Sequence, residues 1–178
     1  MTNTPFAVYD KSSGRVLRAG VCPEDDLAGQ VTDASEDVLQ VAGLLQDLYL
    51  FRVEDGALVN AGPDLETAKR LKTTELYAAC DAAVRAGVSS AALGSAHLYP
   101  TSDIDQSNLA QAVLAGGKLW CQDGAGTWAL LDHTAAQALV ALQDFQTAKD
   151  AAREHLATLM TEVEAAATPS AVQALTWG

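Results

Sequence analysis

Residues 102 to 137, SDIDQSNLAQAVLAGGKLWCQDGAGTWALLDHTAAQ, concentrate the side chains of this sequence that could do chemistry. Cys121 and His133 are the residue types of a thiolate–imidazolium nucleophile. Around them stand the carboxylates Asp103, Asp105, Asp123 and Asp132 and the indoles Trp120 and Trp128. The placement argues against catalysis. Cys121 follows Trp120 on a strand that runs straight into a polar turn. His133 lies just ahead of a helix, beside the positive end of its dipole, where an imidazolium is disfavoured. No glycine-rich oxyanion nest accompanies the pair. The reading is a small structural thiol and a histidine of a capping region, with no catalytic residue assigned.

Other chemistries fail on spacing. His97, His133 and His155 are 36 and 22 residues apart, with no HExxH or paired-ligand pattern, so no metal site is expected. His155, next to Glu154, is expected to face solvent. The acidic run from Asp103 resembles a calcium loop until its sixth and twelfth places, which need Gly and Glu and hold Asn108 and Leu114. A helix start, with Asp103 or Asp105 meeting free amides, accounts for the same residues. The GAG of CQDGAGTW lacks the Lys–Ser/Thr and the strand-to-helix context of a phosphate loop. No residue pattern asks for a cofactor. Trp120 and Trp128 fall on opposite arms of a hairpin, where they either pair across strands or stand exposed as a binding platform.

The elements that must position these residues follow from periodicity. FAVYDKSSGRVLRAG reads as a hairpin turning at DKSSG. VCPEDDLAGQVTDASEDVLQVAG has mixed signals and reads as irregular, its acids as a solvated linker rather than a lure for a basic partner. A second hairpin pairs Leu48–Val53 with Ala57–Asn60 across EDG, and the two hairpins together predict a four-stranded antiparallel sheet. A helix then starts at Pro63–Asp64 and runs to Gly87. VSSAALGSAHLYPTS reads as loop with a short strand at His97–Tyr99, and a short helix covers Ile104–Ala115, stopped by Gly116–Gly117.

The third hairpin spans about 118–131. The long helix of about 134–167 is capped by Thr134 with Gln137 as the reciprocal arm. Ala135, Ala138, Leu142, Phe145, Lys149, Ala152, Leu156, Leu159, Val163 and Ala166 recur at three and four over about 32 residues, a heptad-like stripe broken by Lys149. Such a helix is roughly 48 Å long and needs another helix or a second subunit to cover it. Lys149 either snorkels or marks where close packing opens. Pro169 ends the helix and VQALTWG follows as an apolar tail. The resulting fold class is α+β: a small antiparallel β module over 1–62, then a mainly helical module over 63–178 with an embedded hairpin.

Composition narrows the partners. In 178 residues the net charge is −12, with 49 % hydrophobic and 19 % charged residues. Residues 1–70 carry twelve acids against six bases and residues 71–178 eleven against five, so each part has a net of −6. With no basic block, nucleic acid and anionic membrane surfaces are unsuited as partners, which leaves protein. Cys22, Cys80 and Cys121 cannot all pair within one chain, the opening MTNTPFAVYD lacks the features of a signal peptide, and three free thiols fit a reducing cytoplasm.

The ordered elements YPTSDIDQSNLAQAV, LWCQDGAGTWALLDHTAAQALVAL, a long helix and TPSAVQALTW resemble a family of uncharacterised proteins encoded by tailed bacteriophages and prophages near tail-fibre genes. The resemblance covers roughly residues 70–178. It rests on Asp103 or Asp105 with Gln106 and Leu109, on Trp120, Asp123, Gly124 and Trp128, on His133, Thr134 and Gln137, and on Trp177. The opening hairpin, over Tyr9, Asp10, Ser13, Gly14 and Val16, also resembles those of tail-fibre and fibre-assembly proteins. The family carries no established catalytic residue, so the resemblance implies a place rather than a chemistry. The expectation is a non-enzymatic tail-associated structural or accessory protein, in the host cytoplasm during assembly or in the virion tail. Its partner would be a tail component, and it would self-associate through the helical stripe. Trp120, Trp128, Leu142, Phe145, Leu156, Leu159, Val163 and Trp177 are the candidate contact residues. A tail-fibre assembly chaperone is one alternative, and a small hydrolase of host envelope material using residues 97–133 is another.

Overall fold

The computed structural model describes residues 2–178. The chain folds as an α+β protein in two compact units that divide after Arg70, with Ala167–Val172 belonging to the first unit and Gln173–Gly178 to the second.

In the first unit, β1 (Asn3–Asp10), β2 (Val16–Pro23) and β3 (Glu36–Gln40) make an antiparallel sheet in the order β2–β1–β3. Phe6, Val8 and Cys22 form its small core, with Leu27 and Val38 packed against them. The β1–β2 turn is built by Asp10, whose carboxylate accepts from the Ser12 hydroxyl at 2.6 Å and from the Ser13 amide and hydroxyl at 2.9 and 2.7 Å. These bonds hold its pKa down at about 2. Gly14 completes the turn at φ +69°, where a Cβ would run into the Val53 carbonyl oxygen.

The acidic segment is less irregular than its sequence suggests. After two 3-10 turns, Glu24–Asp26 and Ala28–Gln30, it supplies β3. Arg18 on β2 donates to both oxygens of Glu36 at 2.7 Å, and the Thr32 amide adds a bond at 2.9 Å. A bidentate ion pair between distant positions aligns this strand, and no local periodicity reports it. The second hairpin, β4 (Phe51–Glu54) and β5 (Ala57–Asn60), turns through Asp55 and Gly56 at φ +51° and +76°, as a type I′ turn requires. Leu48–Leu50 is a 3-10 turn rather than the start of that strand. The expected four-stranded sheet does not form: β4–β5 stands as a separate two-stranded sheet, joined to the β1–β2 turn region by an isolated Arg15–Arg52 bridge.

Asp64 starts α1 (Leu65–Arg85) by accepting the Thr67 amide at 2.7 Å. The second unit then builds β6 (Val88–Ser90), β7 (His97–Tyr99), α2 (Asp103–Ala115), β8 (Gly117–Gln122), β9 (Trp128–His133) and α3 (Ala135–Ala165). Its sheet is antiparallel in the order β6–β7–β8–β9. Val88–Ser90, expected as loop, pairs with β7. Ser102, rather than Asp103, caps α2, and Asp105 is the reciprocal arm, accepting the Ser102 amide at 3.2 Å. Gly116, at φ +76°, closes that helix where a Cβ would stand 2.7 Å from the His133 carbonyl oxygen. Thr134 and Gln137 form the capping box of α3 as the sequence predicts. Pro169, expected only as a terminator, opens a short helix, α4 (Pro169–Gln173), because the first helical position tolerates its missing amide.

Two cores hold the second unit. The inner face of the sheet (Val88, Tyr99, Leu119, Cys121) meets Leu109 and Ala112 of α2 and Ala138, Ala141 and Phe145 of α3. Further along α3, Leu159 and Val163 pack on Leu76 of α1, with Leu156, Met160, Leu175 and Trp177 around them. Lys149 sits between the two cores, its ammonium 5.3 Å from the centre of the Phe145 ring. There α1 and α3 open into a groove lined by Tyr77, Cys80, Val84, Lys149, Arg153 and Leu156.

Candidate functional site

Strand alternation decides what the third hairpin shows to solvent. On β8, Leu119 and Cys121 turn inward and are 6 % and 1 % exposed. Trp120 between them must then turn outward, and it is 52 % exposed. The register sets Trp120 against Leu130 and Gln122 against Trp128, so the two indoles share the outer face as diagonal neighbours. Trp128 and Leu130 are 46 % and 45 % exposed. Leu98 pairs with both Gln122 and Ser89, which carries the same face across all four strands. Lys118 and Asp132, a directly opposed pair 3.9 Å apart, close one end.

A cavity of about 150 Å³ opens beside this face. It exists because β7 meets β8 at a single register pair, Leu98–Gln122. Pro100 then leads the chain away to α2, leaving an opening between that turn, α2 and the first half of β8. Pro100, Trp120 and Leu130 give it apolar walls, while Asp105, Asn108 and Lys118 give it polar ones. The whole is an exposed apolar platform with a polar-rimmed notch beside it.

Of the eight candidate contact residues, only Trp120 and Trp128 stand on this surface. Phe145, Leu159 and Val163 are 3 %, 6 % and 0 % exposed inside the unit's own cores. Leu142 packs against the first core, and Leu156 and Trp177 against the second. Much of the stripe on α3 is therefore covered from within the chain, with Leu142 and Leu156 only partly buried. The sheet and α1 supply this cover, and another helix was one of the two covers the periodicity allowed. Leu130, Leu98 and the notch residues Pro100, Asn108 and Lys118 were missed by the sequence reading. Leu130 alone had a signal, sharing the parity of Trp128 along the strand.

Cys121 and His133 both face inward but lie at opposite ends of the hairpin, in the pairs Cys121–Ala129 and Gly117–His133. Burial, and secondarily Asp123, pushes the Cys121 thiol up, away from thiolate character. His133 instead joins Tyr99: the tyrosine hydroxyl and Nε2 are 2.8 Å apart, the rings meet edge-on, and Nδ1 lies 2.9 Å from the Leu131 carbonyl oxygen. Burial, and secondarily Cys121, raises the Tyr99 hydroxyl to about 12. His97 bonds the Ser95 carbonyl oxygen, and His155, though exposed, is held by the Trp177 carbonyl oxygen at 2.8 Å and its ring. Among the described residues no group of three or more His, Cys, Asp or Glu side chains is placed to hold a metal ion. No helix among them is long and apolar enough to cross a membrane.

Set against protein-family models, curated proteins and solved structures, the chain matches none.

Proposed function

We propose that this is a non-enzymatic structural or accessory protein of a tailed bacteriophage, binding a tail component through the outer face of the β8–β9 hairpin. The observation that carries the contact surface is the pair Trp120 and Trp128, left half-exposed beside Leu130 on a hairpin whose other face puts Leu119 and Cys121 into a core. Aromatic residues clustered at the centre of a surface patch are the usual anchors of a protein interface, since they bury much area at small cost in side-chain entropy. The tail assignment is supported by the resemblance over residues 70–178. The net charge of −12 further favours a protein partner over nucleic acid or an anionic membrane.

The test is to fractionate a lysate of cells producing the phage and quantify the chain in purified tails and in unassembled fibre subunits. Recovery in tails, lost on W120A/W128A, is the expected result. Recovery only with unassembled fibre subunits would favour the chaperone role, and absence from both fractions would overturn the tail assignment.

A further inference from the structure

The sheet of the second unit ends on β9, and no strand among the described residues pairs with its outer side. The direction of its amides follows from the ladder. The Asp123 amide donates to the Thr127 carbonyl at 3.0 Å, and the register from Gln122–Trp128 to Gly117–His133 continues without a shift. Mutually bonded pairs alternate with pairs whose amides point away. Cys121–Ala129, Leu119–Leu131 and Gly117–His133 are therefore the bonded pairs, and Trp128, Leu130 and Asp132 turn their N–H and C=O groups to the open edge.

Edge strands are normally guarded by proline, by lysine, by a bulge or by a charge at the centre. β9, WALLDH, has no proline, no lysine or arginine and no register shift, and its histidine, His133, faces inward at the strand's end. Its one carboxylate, Asp132, stands near one end, beside Lys118. The strand is six residues long, at the usual length for a paired strand, and half of its backbone bonding capacity is open.

We propose that β9 pairs antiparallel with β9 of a second copy of this chain, about a two-fold axis at Leu130. The strand is self-complementary in that register. Leu130 meets Leu130 of the second copy, and Trp128 meets Asp132 of the second copy on either side, so every outward-turned amide and carbonyl from Trp128 to Asp132 finds a partner. Charge favours this alignment. On a chain of net −12, sliding the strands until the Asp132 residues face each other would oppose like charges, whereas the Leu130-centred register keeps them at opposite ends. Paired residues keep a common face, so the row Trp120–Leu130 runs on into Leu130–Trp120 of the second copy and the tryptophan platform doubles in width. The inference rests on the strand edge alone, so it stands or falls separately from the tail assignment.

Light scattering after size exclusion, over a concentration series, should give twice the 18.6 kDa chain mass. Leu130→Pro removes a donor that the β8–β9 ladder does not use, and should give a folded monomer by circular dichroism. Leu130→Lys places two like charges directly opposite and should do the same, which decides the matter if the proline variant unfolds. Leu130→Cys under mild oxidation should form a covalent dimer, because the Cα atoms of a bonded antiparallel pair, about 5.5 Å apart, are within disulfide reach. The three native thiols are buried and should leave the wild type uncrosslinked. A wild type that remains at the single-chain mass throughout would overturn the proposal. So would a dimer that survives Leu130→Lys, or a Leu130→Cys variant that fails to crosslink.

Discussion

Glu36 shows how a single side chain ties stability to pH. Its carboxyl is held at about 2, first by the Arg18 hydrogen bonds and then by the Thr32 amide. The folded pKa lies below the ordinary glutamate range, so the unfolded chain takes up the proton first as pH falls. The stabilisation is fully present above that range and is lost as pH drops toward 2. Urea denaturation of wild type and E36Q should show a stability gap at neutral pH that narrows steadily in acid. A gap independent of pH would mean the ion pair does not align β3. The Tyr99–His133 pair makes a second residue-scale prediction. The Leu131 carbonyl can only accept, so Nδ1 carries a hydrogen, and in the Nδ1–H tautomer Nε2 accepts from Tyr99. Y99F leaves a buried acceptor unpaired and should cost about 1–3 kcal/mol in the same assay. Nitrogen NMR of the wild-type ring should show the Nδ1–H tautomer.

At the scale of elements, α3 carries the stripe whose cover the sequence leaves open. Its three-four periodicity is real, the capping box places its start correctly, and the stripe contributes to two intramolecular cores. L159A should therefore destabilise the chain by about 2–5 kcal/mol, as buried leucine truncations do, while leaving the mass of the folded fraction unchanged. L156D should lower the unfolding midpoint rather than dissociate an assembly. Dissociation of a stably folded L156D variant would return the stripe to an interface. Lys149 also finds its reason here: it covers Phe145 at the gap between the two cores, where α1 and α3 separate.

For the whole molecule, the separation of stability from recognition is the feature to test. Trp120 and Trp128 stand outside the cores, so alanine at each should cost no more than about 1 kcal/mol of cross-strand pairing. The double variant should keep the wild-type circular dichroism spectrum, shift its melting temperature little and lose partner binding. A collapse in melting temperature would place the indoles in a folding role instead.

Local chemistry determined much of this protein. Turn residues marked the β1–β2 and β4–β5 hairpins, glycines marked the ends of α1 and α2, and Thr134 with Gln137 marked the start of α3. Alternation around Trp120 and Cys121 located the hairpin whose outer face is the candidate site. Each of these signals is written within a few residues, because backbone hydrogen bonds and steric preferences act over that range. What lay beyond the sequence depended on partners far away along the chain. β3 is aligned by Arg18 and Glu36, β6 exists because β7 is beside it, and the notch opens because β7 and β8 share one register pair. The direction of the α3 stripe was decided in the same way. A hydrophobic face specifies only that it be covered, and tertiary packing alone settles whether a second subunit or the chain's own sheet and helix provides the cover.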